Sequence, residues 1–357
     1  MILLVFSLGL AYLWIGLKLA SALKKEDKPA TTPPDGFSLI IPFRNEDKRL
    51  HLVLASLTEQ KLPDCPVEVI FVDDGSTDQS VALITNTIIP GIPIRIIRSA
   101  GEGKPAALET GRQMARYSWL ITTDADMRLP TGWLANLVSF TDDKTDLVCG
   151  VTLADRSGFA GSLQTLETTL LMAVAVGMHR HGHPLSATGN SMAFRASSIA
   201  SAGGFESVEG SPREDHAIYQ RLASLGFVIK YRLGPGSLAQ TPAEPTLTTW
   251  LRQRRRWFGS PMGLTPFVLF SMSVFSLVWF LFVWGLLSGS GWMAMTAFLF
   301  KLTGDLLIVQ AFGRQTGHRT PLPTLILFEL IWVVPLFLLL VNRLINPVVV
   351  WKGRRYG

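Results

Sequence analysis

The chain has 357 residues, of which 48% are hydrophobic and only 17% are charged. With a mean hydropathy of +0.31, this composition argues against a purely soluble protein and indicates membrane segments. The formal net charge is +6, but many basic residues flank apolar stretches, which favours an anionic membrane surface over nucleic acid as the partner. The two cysteines, Cys65 and Cys149, provide neither a disulfide framework nor zinc spacing, so we expect the chemistry on the reducing, cytoplasmic side of a membrane.

Residues 1–20 are almost uniformly apolar and predict an N-terminal transmembrane helix. Lys18 lies near its end and further lysines follow, whereas a secretory signal peptide carries its charge before the apolar region. The positive-inside rule then places the following residues in the cytoplasm and the N-terminus outside. Residues 21–36 are expected to be a short linker, which Pro33 and Pro34 stiffen.

Residues 37–247 alternate short apolar runs with amphipathic stretches. Short apolar runs between turn signals are typical of buried strands, and the amphipathic stretches are typical of helices. The expected strands are 37–42, 67–72, 94–97 and 119–122, and the expected helices are 51–60, 78–86 and 106–116. This alternation predicts an α/β domain with a doubly wound, mostly parallel sheet, in which ligands bind beyond the carboxyl ends of the strands.

Residues 248–263 mix aromatic side chains with a dense basic cluster, which is typical of an amphipathic helix at the membrane interface. A C-terminal transmembrane region, 266–345, follows. Its three apolar stretches are 266–287, 292–312 and 322–341. Each is long enough to cross a bilayer core of roughly 30 Å at about 1.5 Å per helical residue. Residues 346–357 are expected to be a basic cytoplasmic tail.

The membrane topology contains one conflict, because four spanning helices would place the C-terminus outside while the basic tail favours the inside. One apolar stretch is therefore expected to be re-entrant or to lie in the interface. Two candidates stay open: the stretch that carries Lys301 and Asp305, and the last stretch, which Pro335 interrupts. Because Lys301 and Asp305 would be costly facing lipid, we expect them to pair or to face protein, with transport as a minor alternative.

A candidate metal site is formed by Asp124 and Asp126, which come directly after the apolar strand ending near Thr122. Two carboxylates in this arrangement can both reach one Mg²⁺ or Mn²⁺ ion, which prefers oxygen ligands and keeps positions for water and phosphate. Turn chemistry is the simpler explanation of the pattern taken alone. Three alternate histidines in one stretch also suggest a metal, but without carboxylate or cysteine partners that signal is weak. They are His179, His181 and His183.

Asp73 and Asp74 follow the second expected strand and precede Gly75. Acidic residues at this place commonly accept hydrogen bonds from a nucleoside, as in dinucleotide folds. An Asp-Gly turn explains the same residues, and both interpretations hold together if Gly75 turns while Asp74 binds. Lys104 follows Gly103 before a helix, where a lysine is a natural contact for phosphate or base.

Pro42, Arg44 and Glu46 follow the first expected strand and are candidates for a rim around the nucleotide base. A strand-end loop that caps the next helix through Asn45 explains this segment equally well.

Glu214 and Asp215 open an amphipathic run and are candidates for a general base that removes the proton of an acceptor hydroxyl. The alternative is that acidic residues in a first helical turn merely stabilise the helix dipole. Further along, Arg254, Arg256 and their neighbours could clamp a diphosphate with guanidinium groups. The positive-inside flank of the next membrane helix explains the same basic residues.

The order and spacing of these motifs are more specific than any one of them. The series runs Asp73-Asp74-Gly75-Ser76, Gly103-Lys104, Asp124-Ala125-Asp126, Gly189-Asn190-Ser191-Met192-Ala193-Phe194-Arg195, Gly203-Gly204-Phe205, Glu214-Asp215 and Gln253-Arg254-Arg255-Arg256-Trp257. It resembles the membrane-bound family 2 glycosyltransferases, which include cellulose, chitin and hyaluronan synthases and ceramide glucosyltransferases. The resemblance covers about residues 37–260 and implies a GT-A fold, an inverting single displacement and a divalent cation, Mg²⁺ or Mn²⁺.

The resemblance also implies roles for individual residues. Asp74 and, as a second candidate, Asp73 bind the donor nucleoside with help from Lys104. Asp124 and Asp126 hold the donor diphosphate and the metal, Asp215 is the base, and Gly189 and Asn190 line the acceptor pocket. The residues that close over the diphosphate and the acceptor are Gln253, Arg254, Arg256 and Trp257. The chain departs from the family where the usual Thr-Glu-Asp reads Arg213-Glu214-Asp215, and its few C-terminal apolar stretches disfavour a wide polysaccharide channel.

From these patterns we expect a glycosyltransferase in the cell membrane that moves a hexose from a nucleotide-sugar, a UDP-sugar in the first instance, to a lipid or lipid-linked acceptor at the cytoplasmic face. Two alternatives remain open. One is a processive polysaccharide synthase, and the other is an inactive membrane scaffold that only binds nucleotide-sugar. Nucleic acid is not expected as a partner.

Overall fold

A computed structural model of the chain describes residues 1–25, 29–30, 34–211, 213–257, 264–345, 349–351 and 354–356. The eleven strands of this part are β1 Phe37–Phe43, β2 Val67–Asp73, β3 Ile94–Arg98, β4 Trp119–Thr122, β5 Leu147–Cys149, β6 Val151–Ala154, β7 Met192–Arg195, β8 Ile229–Tyr231, β9 Leu238–Thr241, β10 Val349–Trp351 and β11 Arg354–Tyr356. Seven of them form one mixed sheet in the order β3-β2-β1-β4-β7-β5-β8. β7 is antiparallel to both of its neighbours, and the other pairs in the sheet are parallel.

The helices between and after these strands complete the fold. They are α1 Ile2–Leu23, α2 Leu50–Thr58, α3 Ser80–Thr85, α4 Lys104–Met114, α5 Trp133–Val138, α6 Gly158–Arg180, α7 Ala196–Ser201, α8 Glu214–Ser224, α9 Leu247–Trp257, α10 Pro266–Leu287, α11 Gly291–Thr316, α12 Leu322–Ile331 and α13 Val333–Ile345, with a short 3₁₀ helix at Phe205–Val208. The four expected strands and three expected helices of the α/β domain are all present within a few residues. The prediction of a mostly parallel α/β sheet with separate apolar helices is therefore confirmed.

Both faces of the central strands β1, β2 and β4 are buried, which explains why these strands are mostly apolar. Leu39 and Ile41 of β1 face a core shared with α2 and α5, whereas Ile40 faces the opposite core. This second core continues from the sheet through α6 to α1, α10 and α11, with Val176 and Phe312 among its buried members. The α/β domain and the apolar helices thus share one hydrophobic core.

Five described helices are long and apolar enough to cross a membrane: α1, α6, α10, α11 and the stretch Leu322–Leu339. The sequence predicted four of them and missed α6. Gln164, Glu167 and Thr168 interrupt the apolar pattern of α6. Those polar residues are buried, because α6 lies between β6 on one side and α1, α11 and α12 on the other. Protein therefore covers most of α6, whereas α1 and α10 expose most of their apolar surface.

The last apolar stretch is broken and the preceding one is not. α11 continues through Lys301 and Asp305 without interruption, whereas α12 ends at Ile331 and α13 begins at Val333. Pro335 accounts for the break, because it has no N–H to donate to the carbonyl four residues earlier. Of the two candidate stretches, the one with the proline is interrupted, but it is still long and apolar enough to span a membrane. The expectation that one stretch is re-entrant or lies in the interface stays a prediction.

Parts of three expected segments lie outside the described residues: 26–28 and 31–33 of the linker, 258–263 of the interface segment, and 346–348, 352–353 and 357 of the basic tail. The rest of the interface segment is helical, as α9, and the described parts of the tail pair as the antiparallel strands β10 and β11.

A buried charge cluster joins the membrane helices. The Lys301 ammonium donates to Asp305 and to Glu329 of α12, both at 2.6 Å, and the Tyr12 hydroxyl of α1 donates to Asp305 at 2.5 Å. Lys301 also lies 4.9 Å from the ring centroid of Trp279 on α10. The prediction that Lys301 and Asp305 pair is confirmed, and the cluster links all four of these helices.

We expect Lys301→Met to destabilise the protein by about 3–5 kcal/mol, because it leaves two buried carboxylates without their cation. Thermal unfolding in detergent measures the change in Tm. Arg314→Met is the matched control, since Arg314 is exposed on the same helix. An unchanged Tm in Lys301→Met would contradict a stabilising role for the cluster.

Candidate active site

A cavity of about 460 Å³ opens beyond the carboxyl ends of β1, β2 and β4. This is the edge at which parallel α/β sheets bind ligands. Most of the candidate residues chosen from the sequence line it: Pro42, Arg44, Glu46, Asp74, Lys104, Asp124, Asp126, Asn190, Glu214, Asp215, Gln253, Arg256 and Trp257. The remaining three, Asp73, Gly189 and Arg254, are not among the lining residues.

Lys104 joins two of the sequence motifs at the polar end of the cavity. Its ammonium lies 2.7 Å from an Asp124 carboxylate oxygen and 2.8 Å from a Glu214 carboxylate oxygen. Burial disfavours the charged ammonium, but the nearby carboxylates, Asp124 first, outweigh this effect and raise the pKa of Lys104. Lys104 therefore remains a cation that holds the end of β4 against the start of α8.

Asp126 is the second carboxylate of the acidic pair, and the exposed Arg49 guanidinium contacts it at 3.3 Å. Burial, together with the charge of Asp124, raises the pKa of Asp126. A divalent cation would relieve this repulsion, and two adjacent carboxylates that leave other positions to water and phosphate suit Mg²⁺ or Mn²⁺. Among the described residues no cluster of three or more His, Cys, Asp or Glu side chains suits a metal. The pair supplies two carboxylates, so an ion bound there would need further ligands from water or a bound anion.

Asp73 and Asp74 have different surroundings. Asp73 accepts the Ser76 N–H at 2.8 Å and so stabilises the turn at Gly75, whose φ of +80° favours glycine. Asp74 lines the cavity, accepts the Gly103 N–H at 2.8 Å and lies 3.7 Å from the Arg44 guanidinium. The turn interpretation therefore describes Asp73, which the structure removes from direct contact with the cavity.

Asp215 is held in place from several sides. Its carboxylate accepts the backbone N–H groups of Gly189 at 3.0 Å and His216 at 2.7 Å, and the Arg213 guanidinium lies 3.8 Å away. Burial opposes ionisation, but Arg213, Lys104 and the two N–H groups outweigh it and lower the pKa of Asp215. The side chain keeps 23% of its surface exposed. Asp215 is thus an ionised carboxylate that reaches the cavity.

Arg213 has contacts that the sequence did not suggest. Besides Asp215, its guanidinium donates to the Trp257 carbonyl and to the Ser186 hydroxyl, both at 3.1 Å. It therefore connects the start of α8 with the end of α9. The sequence marked Arg213 only as a departure from a familiar motif.

The segment 189–190 lies between β4 and the start of α8. The Thr122 and Thr123 hydroxyls donate to the carbonyls of Gly189 and Asn190. A β-carbon added at Gly189 would lie 2.4 Å from the Asp215 β-carbon, so only glycine allows this close approach. The backbone of Gly189 therefore packs directly against the Asp215 side chain, whereas Asn190 lines the cavity.

The four candidates on α9 point in different directions. Gln253, Arg256 and Trp257 line the cavity. Arg254 is 1% exposed and its guanidinium pairs with Glu167 of α6. This corrects the expectation that Arg254 contacts a diphosphate: on a helix with 3.6 residues per turn, residues two apart face nearly opposite sides.

Part of the cavity wall is apolar, and the sequence did not predict this part. It consists of Leu185 and four side chains of α6, namely Leu171, Met172, Val174 and Ala175. Because α6 packs against the membrane helices α1 and α11, the cavity extends from the acidic pair towards the apolar part of the protein.

The three histidines are structural in the described part of the chain. His179 hydrogen-bonds to the Tyr219 hydroxyl at 2.9 Å, His181 to the Lys18 carbonyl at 3.0 Å, and His183 to the Thr265 hydroxyl at 3.1 Å. These bonds attach the end of α6 and the segment after it to α8, α1 and the start of α10. The weak metal signal of their spacing is explained by packing.

Comparison with known proteins identifies similar chains. The family model described as glycosyl transferase family 21 matches residues 1–357. An undecaprenyl-phosphate 4-deoxy-4-formamido-L-arabinose transferase of Pectobacterium atrosepticum is 32% identical over 126 residues, which cover 33% of this chain and 37% of that protein. The chain thus spans little more than a third of the length of this relative.

Longer matches have lower identity. A probable glycosyltransferase of Bacillus subtilis is 23% identical over 87% of this chain and 73% of its own length. A poly-beta-1,6-N-acetyl-D-glucosamine synthase of Staphylococcus aureus is 24% identical over 70% of this chain and 60% of its own. Among solved structures, a mannosyltransferase of Pyrobaculum calidifontis, in complex with GDP-mannose and Mn²⁺, has a TM-score of 0.57 at 20% identity over 95% of both chains. This structural similarity shows that the chain has the GT-A fold.

We expect Gly189→Ala to displace Asp215 and to lower the rate of sugar transfer at least ~10-fold, since misplacement of a reacting group by about 1 Å can cost ~100-fold in rate. Initial rates of nucleotide release from a nucleotide-sugar measure the effect. Gly291→Ala is the control, because a β-carbon there meets no heavy atom within 4 Å. Equal rates in both variants would mean that Asp215 tolerates the shift.

Proposed function

The chain belongs to glycosyl transferase family 21, and from this membership we propose that the enzyme moves a hexose from a UDP-sugar to a lipid or lipid-linked acceptor. The observation that carries the proposal is the composition of the cavity wall. This wall combines the Asp124–Asp126 pair and the ionised Asp215 with apolar side chains of α6. A polar donor and an apolar acceptor can therefore meet at Asp215.

The donor nucleoside binds, in this proposal, at the ends of β1 and β2. Asp74 accepts hydrogen bonds from the nucleoside, and Pro42, Arg44 and Glu46 form the rim around the base. These residues line the same cavity as the acidic pair. Lys104 lies between this rim and the acidic pair, where its ammonium assists in binding the donor.

Asp124 and Asp126 would hold a Mg²⁺ or Mn²⁺ ion, which when bound offsets the negative charge of the diphosphate leaving group. Burial first, and then the charge of Asp124, raises the pKa of Asp126, and a bound cation would favour its ionised form. The similar fold of the Pyrobaculum mannosyltransferase, which is in complex with Mn²⁺, agrees with this assignment. Gln253, Arg256 and Trp257 close over the diphosphate from α9.

Asp215 acts as the general base in a single inverting displacement. The acceptor hydroxyl oxygen forms the new bond to the anomeric carbon while the bond from that carbon to the diphosphate breaks, and the hydroxyl proton passes to Asp215. Glu214 is the other candidate for the base, but its carboxylate forms an ion pair with Lys104 at 2.8 Å. We therefore assign Glu214 to holding Lys104 and Asp215 to the proton transfer.

In this proposal the acceptor contacts the apolar side chains of α6. Leu171, Met172 and Ala175 offer an apolar wall for a lipid chain, and Asn190 and Asp215 line the same cavity. The match to an undecaprenyl-phosphate sugar transferase supports a lipid-linked acceptor. Lys18 near the end of α1 supports a cytoplasmic catalytic domain by the positive-inside rule.

Processive polysaccharide synthesis is the second candidate, which the similarity to the Staphylococcus synthase over 70% of the chain favours. The size of the product separates the two. An acceptor with a single added sugar supports the lipid glycosyltransferase, whereas a ladder of longer products supports the polymerase.

We expect Asp215→Asn to lower turnover by about 10²–10⁴-fold while donor binding is retained, because the amide cannot accept the acceptor proton. The assay measures UDP release by purified protein with Mn²⁺ or Mg²⁺, a donor panel and membrane lipid extract. Asp143→Asn is the control, since Asp143 is exposed and does not line the cavity. Absence of metal-dependent turnover in the parent with any donor would refute the proposed function, and full turnover in Asp215→Asn would refute the base.

The pH dependence of kcat/KM tests how Asp215 is kept ionised. The Arg213 guanidinium stabilises the carboxylate and so lowers the pKa of Asp215. Because the base acts in its ionised form, Arg213→Met should raise this pKa and move the acidic limb of the profile to higher pH. Arg252→Met, an exposed arginine of α9, serves as the control. An acidic limb at the same pH in both variants would assign that limb to another group.

A further inference from the structure

Glu167 is a buried carboxylate of α6, outside the cavity. Its two oxygens accept from three groups of α9: the Nε and Nη2 atoms of Arg254 and the indole N–H of Trp250, the last at 3.0 Å. Burying a charged pair is costly unless its geometry is good and its remaining bonds are satisfied. Here the pair is bidentate and the additional indole bond completes it, so α9 is fixed to α6 at this point.

Arg254 also contacts residues that line the cavity. Its guanidinium lies 4.1 Å from the ring centroid of Trp257 and also donates to the Gln253 side-chain oxygen. Gln253 in turn donates to Glu244 at 2.8 Å. Because Gln253, Trp257 and Glu244 all line the cavity, the position of three lining side chains depends on the fully buried Arg254.

The same helix α6 supports this network at a second point. The Gln164 side chain exchanges two hydrogen bonds of 2.9 Å with the backbone of Glu244. Further along α6, Thr168 and Leu171 follow Glu167 and line the cavity. α6 therefore fixes the basic segment of α9 and the apolar wall of the cavity as one rigid unit.

We propose that Glu167 is a positioning residue for sugar transfer: through Arg254 it holds Trp257 and Gln253 of α9 in register with the cavity wall formed by α6. Glu167 does not touch the substrates in this proposal. The inference rests on the proposed roles of Gln253, Arg256 and Trp257 at the diphosphate and the acceptor. Its signature is a loss in kcat without a comparable change in the donor KM, because the nucleoside end of the cavity is untouched.

The test uses the full-length enzyme and the double variant Glu167→Met/Arg254→Met. Replacing both partners of a buried ion pair by apolar side chains of similar volume is often neutral or stabilising, so we expect Tm to be at least that of the parent. We expect kcat for sugar transfer to fall at least ~10-fold, with the donor KM within about threefold, because correctly held groups account for large rate factors. Arg252→Met is the matched control on the exposed face of the same helix.

A second variant, Arg254→Lys, keeps a cation opposite Glu167 but loses the planar guanidinium that stacks on Trp257 and binds the carboxylate at two points. We expect a kcat between those of the parent and of the double variant. Parent-like kcat in either variant would overturn the proposal, as would a loss of kcat that only follows a lowered Tm. If the double variant does not fold, the kcat of Arg254→Lys alone tests the proposal.

Trp257→Ala, measured in parallel, separates the two levels of inference. If this variant keeps the parent kcat, the proposed role of α9 in closing the site fails. If Trp257→Ala loses activity while the double variant does not, only the positioning role of Glu167 fails.

Discussion

The ion pairs of Lys104 with Asp124 and Glu214 are the contacts on which the rest of the site depends. They bring together Asp124, just after β4, and Glu214, at the start of α8, although these two residues lie 90 positions apart in the sequence. The cavity around them holds more carboxylates than cations among its described lining residues. Such a surface disfavours the binding of an anion unless a cation neutralises part of its charge. The proposed cation at the acidic pair would supply that charge.

Helix α6 gives this site its connection to the membrane part of the protein. It is apolar and long enough to span a bilayer, yet protein covers most of it. Its neighbours are strand β6 on one side and helices α1, α11 and α12 on the other. Because the same helix also supplies apolar side chains to the cavity wall, the candidate site and the apolar helices share one structural element.

Much of the polar end of the site could be predicted from the sequence. Asp74, Asp124 and Asp215 each follow a strand end or open a helix, and these local signals put them at one edge of the sheet. Arg49 could not be found in this way, because nothing in its neighbourhood in the sequence marks it, and Arg213 was marked only as a departure from the family motif. Their importance comes from contacts with Asp126 and with the Trp257 carbonyl, which only the folded chain brings close.

The sequence by itself determined the mostly parallel sheet, the apolar helices and the order of the acidic motifs, because hydrophobic periodicity and turn residues act over short distances. The tertiary structure alone decided which of several equivalent side chains face the cavity. Arg254 and Arg256 are chemically identical and two residues apart, but Glu167 of α6 pairs with Arg254 and leaves Arg256 on the cavity side. That choice depends on a partner 87 residues away, and local sequence carries no information about it.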